Sequence, residues 1–283
     1  MISLPFKQTK QREVKVKKGS NRVKLRALFN KRQKFIIAML ILSLAFFFSE
    51  RVFMNAGILF SFIIAICTEL FFLWSMYSDI QDTKSYQIFV LPFFYSLSFG
   101  LFYYLTPPRF LTNIIVTTLY AIGLYSLFLS ENIFVVASIR TIALLTGARI
   151  VSFVLTLVSF FFLVNVSYSL HSNIFLTVGI IIVFTFFLLY HSLWTYTLDK
   201  SILSSGTWVS LLTLCISEMA ILLWFWPSSP TVIALFLTGL FYIVAGLSHV
   251  WIDRRLFRNV LWEYVWVGLV IFIIFIFSTQ WRS

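Results

Sequence analysis

Long apolar stretches interrupted by short polar breaks run through almost the whole sequence. Breaks at charges, proline pairs and polar clusters leave nine stretches, at residues 35–49, 53–76, 87–106, 110–129, 150–170, 173–197, 203–226, 230–250 and 260–279. A helix needs about 20 apolar residues, with a tolerance of about 17 to 25, to cross a ~30 Å hydrocarbon core. A soluble fold could not bury the apolar surface of a chain that is 60% hydrophobic and 11% charged. The sequence therefore predicts an all-α, polytopic transmembrane helix bundle of about nine spans.

The breaks also indicate how the chain is organised. Most of them are only a few residues long, which makes consecutive helices antiparallel neighbours and favours a single transmembrane domain over residues 35–283. Residues 1–34 are a separate basic tail. The first span is short, because FIIAMLILSLAFFF is about 21 Å long at ~1.5 Å per residue. It can cross only if Lys34 and Glu50–Arg51 snorkel or the bilayer thins locally.

The distribution of cations predicts the orientation. With the N-terminus in the cytoplasm, inner segments hold 19 of the 22 Lys and Arg residues and outer segments hold 3. This split agrees with the positive-inside rule. We expect an integral plasma-membrane protein with a cytoplasmic N-terminus, and protease access to the tail in intact cells would contradict this orientation.

The basic tail holds 12 of the Lys and Arg residues, from Lys7 to Lys34, against the single acid Glu13. Its expected partners are the bilayer and its anionic lipid headgroups. It could instead be a solvated segment that sets orientation, or a contact for a protein partner. Nucleic-acid binding is not favoured, because no aromatic residues alternate with the cations in the manner of a nucleic-acid surface.

Residues 131–149, ENIFVVASIRTIALLTGAR, are apolar but carry Arg140 in the middle and Arg149 at the end. Ser130 can cap a helix start, and Glu131 is well placed at its positive end. The pattern favours an amphipathic interfacial helix with both arginines toward lipid headgroups. A re-entrant hairpin is the alternative.

Two acids lie inside predicted spans, Glu69 in the second and Glu218 in the seventh. Acids at such positions are costly and usually face the bundle interior, so both are candidate ion- or proton-binding groups. Each could instead be a neutral carboxylic acid that hydrogen-bonds a neighbouring helix. In either case we expect both side chains to face inward.

A second polar group is predicted at the cytoplasmic ends of the later spans. Its members are His191, His249, Asp253, Arg254, Arg255, Arg258 and Glu263. His249 and Asp253 are four residues apart and share a helix face. Arginines with a His–Asp pair could process a lipid phosphate, but cations at helix ends and interfacial charge pairs explain the same residues.

Motifs for other functions are absent from the sequence. It contains no P-loop, G-x-S-x-G or H-E-x-x-H motif, and Cys67 and Cys215 are far apart. No metal site, cofactor or catalytic residue is predicted.

The stretch NIFVVASIRTIALLTGARIVSFVLTLVSFFFLVN, residues 132–165, resembles a segment of a family of uncharacterised bacterial polytopic membrane proteins, a domain of unknown function. The resemblance implies a bacterial inner-membrane location and no site residues. The leading functional hypothesis is a small-solute or ion-coupled permease. A non-catalytic membrane scaffold or assembly partner is the alternative, and a lipid-phosphate enzyme is less favoured.

Overall fold

A computed structural model of the chain describes residues 30–52, 56–83, 86–107, 109–138, 143–198 and 202–279. These residues form nine α-helices and one short 3-10 helix, Tyr86–Phe89, and contain no strand. The α-helices are α1 (Lys31–Val52), α2 (Gly57–Thr83), α3 (Val90–Leu105), α4 (Phe110–Ala137), α5 (Leu145–Ser169), α6 (Ile174–Thr197), α7 (Ile202–Trp224), α8 (Pro230–Ile252) and α9 (Arg258–Ser278). Of the described helices, eight are long and apolar enough to cross a membrane. The predicted helical membrane fold is confirmed.

The first helix, α1, is 22 residues long but is not among these eight. It nevertheless packs along the bundle through a buried stripe at helical spacing, Phe35, Ala38, Leu42 and Phe46. The ring of Phe35 is 5.8 Å from that of Phe128, and the ring of Phe46 is 4.7 Å from that of Tyr120. The earlier residue of α1 contacts the later residue of α4, and the later residue of α1 contacts the earlier one, so the two helices are antiparallel.

Hydroxyl groups inside the bundle are satisfied mainly by their own helices. The side chains of Thr68, Thr156 and Ser167 each donate to the carbonyl four residues earlier, at 2.7–2.9 Å. This pattern suits a hydrocarbon medium, which offers no water to unpaired polar groups.

Helix α5 lies at the centre of the bundle and packs against α3, α4, α6 and α8. Half of the residues in the apolar stretch of α5 are buried. Only 6% are buried in that of α9, which packs mainly on α8. Phe160 of α5 contacts both Phe184 of α6 and Phe241 of α8, with ring centroids 5.5 and 4.5 Å apart. Aromatic rings therefore form much of the contact between α5 and its neighbours α6 and α8.

The prediction of an interfacial helix at residues 131–149 is wrong. Residues 131–137 continue α4, and Leu145–Arg149 form the first turn of α5. Two polar residues of this segment contact another helix instead: Glu131 contacts α6, and so does Arg149. Arg140 lies outside the described residues, as do residues 1–29 of the basic tail.

Candidate functional site

A carboxylate and an imidazole meet inside the bundle near the end at which α4 and α6 finish. The Nε2 atom of His191 lies 3.1 Å from Oε1 of Glu131, and both side chains are 0% exposed. Neither side chain makes a well-aligned hydrogen bond within the described structure. Glu131 and His191 are thus a buried ionisable pair with hydrogen-bonding capacity left over.

Glu69 of α2 completes the group. It lies near the pair, because Phe72, one turn after Glu69 on α2, stacks on Phe128, one turn before Glu131 on α4. Both oxygens of Glu69 are buried, and the nearby backbone of Phe93 makes no well-aligned hydrogen bond to them. Three titratable side chains from α2, α4 and α6 are therefore brought together, and we call them the acid–histidine group.

Aromatic rings enclose the acid–histidine group. Phe72, one turn after Glu69, stacks on Phe128 with centroids 5.1 Å apart. The ring of Trp194 is 6.1 Å from that of His191 and 6.4 Å from that of Phe134. Because Glu131, His191 and both carboxyl oxygens of Glu69 are buried, the titratable atoms are closed off from the surroundings in this conformation.

A cluster of three hydroxyl groups includes Thr68, the residue directly before Glu69. The Oγ1 atom of Thr68 is 2.9 Å from Oγ of Ser96, which is 3.1 Å from the hydroxyl of Tyr120. These three buried side chains tie α2, α3 and α4 together by hydrogen bonds. The backbone that presents Glu69 is consequently fixed from two sides.

Arg149 of α5 binds the C-terminal end of α6. Its Nε and Nη2 atoms donate to the carbonyl oxygens of Thr195 and Tyr196, both at 3.0 Å, and its guanidinium lies over the Tyr196 ring at 4.6 Å. A guanidinium suits this place, because the last carbonyls of a helix carry partial negative charge. Arg149 therefore has a structural role. Its Nε and Nη2 atoms bind the end of α6 and not the lipid headgroups that the sequence predicted.

His249 is also buried against α6. Its Nε2 atom lies 3.0 Å from Oγ of Ser192, and its ring stacks on Tyr196 at 4.0 Å. The other members of the predicted cytoplasmic group, Asp253, Arg254, Arg255, Arg258 and Glu263, are exposed. Since His191 points to Glu131 and His249 to Ser192, the structure does not bring the group together around a phosphate.

Glu218 is not part of the acid–histidine group. It is exposed on α7, so the expectation that it faces inward is wrong. Glu131, by contrast, was missed as a site residue, because the polar run Ser130–Asn132 looked like the end of a span. The apolar residues 133–137 that follow were the available sign that the helix continues.

Comparison with known proteins places the chain in a family. The model of the family described as Protein of unknown function (DUF5656) matches residues 32–278. The chain belongs to this family. The match covers the whole helical bundle and agrees with the resemblance to a domain of unknown function. No curated protein and no solved structure matches the chain.

Proposed function

We propose that this DUF5656 protein is a proton-coupled permease for a small solute or ion, with the acid–histidine group as its proton carrier. The observation that supports this most is the contact between Glu131 and His191, which are both fully buried in a bundle of membrane-spanning helices. Ionisable side chains at such positions are costly and typically line ion or proton pathways.

The chemistry of the group suits proton exchange. A Glu–His pair can hold its shared proton on either partner while its net charge stays zero, which limits the cost of burial. Glu69 adds two acceptor oxygens without well-aligned donors, which could receive a second proton or a cation. If helix packing were the purpose, uncharged side chains such as the nearby Thr68–Ser96 pair would serve it at lower cost.

The closed conformation sets a requirement on the mechanism. Because Glu131 and His191 are fully enclosed, a proton or solute can reach them only after helices move apart. Rearrangement of helices around a fixed central site is how secondary transporters alternate access. The proposal therefore includes a conformation in which this group opens to one side of the membrane.

The test uses inside-out membrane vesicles with an acidic interior and a pH-sensitive dye. Monovalent cations, amines, amino acids, sugars and carboxylates are added in turn. We expect at least one solute class to release the proton gradient in wild-type vesicles. Glu69→Gln should slow this release at least tenfold, because an amide cannot carry a proton. Glu263→Gln, the same change on an exposed side chain of α9, is the matched control.

Two results would overturn the proposal. One is a wild-type protein that moves no protons with any solute class. The other is proton release by Glu69→Gln at the rate of Glu263→Gln.

For the location, we propose the plasma membrane with the N-terminus in the cytoplasm. Because neighbouring helices alternate in direction, the end of the bundle at which α1 begins also carries Lys34, Arg149 and Arg254. This end should face the cytoplasm. A protease added to intact cells should leave the tail uncut and should cut it once the cells are opened. Cleavage in intact cells would reverse the orientation.

A further inference from the structure

The exposed acid on α7 lies well within the hydrocarbon region. Glu218 is six residues before the end of α7 at Trp224, which corresponds to about 9 Å of helix at ~1.5 Å per residue. Phe225 and Trp226 extend the apolar region beyond that end. A glutamate side chain is too short to span this distance, so the carboxyl cannot reach the headgroups by snorkelling.

The surroundings of Glu218 on α7 are apolar and open. Leu211, Leu214, Leu222 and Phe225 lie within about 40° of it around the helix, at 100° per residue. These four are 54–76% exposed. The opposite face of α7, with Val209, Ile216 and Ala220, is buried in the bundle. Within the described structure no side chain donates a hydrogen bond to Glu218.

A carboxyl group facing lipid without a donor is unfavourable in either protonation state. An adjoining helix that supplies a donor at the same depth removes this cost, and polar side chains do hold membrane helices together in this way. The chemistry of Glu218 thus calls for a partner helix and states what the partner must present.

We propose that the Glu218 face of α7 is the interface with a second copy of this chain, in which the two Glu218 carboxyl groups meet and share a hydrogen bond. A two-fold axis along the membrane normal brings the same residue of each copy to the same depth. A protonated carboxyl is both donor and acceptor, so it is complementary to its own symmetry mate. The leucines and Phe225 around it supply an apolar contact surface. This inference is independent of the proposed transport function.

The test places a single cysteine on the Glu218 face of α7, two turns before Glu218. In a chain with Cys67→Ala and Cys215→Ala, Leu211→Cys lies about 20° from Glu218 around the helix. Ile122→Cys, on the exposed face of α4, is the control at a similar depth, with 61% exposure against 57% for Leu211. Oxidation in membranes should convert Leu211→Cys to a disulfide-linked dimer with at least five times the yield of Ile122→Cys.

The role of the carboxyl is tested in the same Leu211→Cys chain. Glu218→Leu should lower the dimer yield at least fivefold, whereas Glu218→Gln should retain it, because an amide is also donor and acceptor. Gel filtration in detergent shows that each variant is folded. Transfer between fluorophores on separate copies in liposomes provides a second measurement of association, which Glu218→Leu should reduce by the same factor.

Three results would overturn the proposal. The first is a Leu211→Cys chain that cross-links no more than the Ile122→Cys chain. The second is a Glu218→Leu variant in which both the dimer yield and the fluorescence transfer are unchanged. The third is a Leu211→Cys chain that cross-links to a different membrane protein and never to itself, which would assign the face to another partner.

Discussion

His191→Leu alone should destabilise the protein by about 3 kcal/mol, and the second substitution Glu131→Leu should restore most of that loss. Removing one member of a buried ion pair leaves the other charge or hydrogen-bonding group without a partner, which typically costs about 3–5 kcal/mol. Replacing both members by apolar side chains of similar size is often neutral. The full burial of Glu131 and His191, 3.1 Å apart, places them in this category.

Thermal unfolding of both single variants and the double variant in detergent completes the comparison. Glu263→Leu, at an exposed position on α9, is the control for removing a carboxylate and should leave the midpoint unchanged. Additive losses from the two single variants would contradict a direct pair. A double variant as stable as wild type would show that the pair is not needed for folding, and its retention would then point to function.

Gly100→Leu should destabilise the bundle by about 3 kcal/mol or more, whereas Gly179→Leu should not destabilise it. A Cβ atom at Gly100 would lie 2.8 Å from Oγ and 3.0 Å from Cα of Ser61, so α2 and α3 would have to separate. Overpacking of this kind typically costs about 1–3 kcal/mol, and leucine adds three further carbons to the clash. Small residues allow this close approach of membrane helices.

Gly179 is the matched control, because it is also within a helix but a Cβ atom there meets nothing within 4 Å. Leucine at that position should even gain up to about 1 kcal/mol of helix propensity. Fluorescence-detected gel filtration after heating measures both midpoints. Equal midpoints for the two variants would contradict the described α2–α3 contact.

The number of helices and their approximate bounds could be predicted because the bilayer fixes the length of an apolar span. Each of the nine predicted stretches overlaps one α-helix, although several helices, α4 above all, extend beyond the predicted bounds. Depth along each span could also be estimated, since it follows from counting residues. These features depend on the chain and its medium and need no knowledge of neighbouring helices.

The face that each helix presents could not be predicted, and Glu218 shows why. In a soluble protein the polar face of a helix points outward, but in a bilayer both the interior and the surroundings are apolar. The sequence around Glu69 and the sequence around Glu218 are similarly apolar, yet one acid has buried oxygens and the other is exposed. Only the packing of other helices separates the two cases.

Glu131 illustrates the second limit. Local polarity at Ser130–Asn132 resembles a loop, and helix-capping preferences support that interpretation. The opposing effect is a contact with His191, which lies 60 residues away along the chain. Local sequence does not identify a long-range partner of this kind, so the polar run outweighed the apolar residues 133–137, and the site lacked a member.

Solute-driven proton release by the Glu131→Leu/His191→Leu double variant tests the central claim most directly. This variant should unfold at a midpoint close to that of the wild type, so that loss of activity cannot be attributed to misfolding. If the buried pair carries protons, the double variant should show no release above that of vesicles without the protein. A stably folded double variant that releases the gradient at the wild-type rate would contradict the proposal.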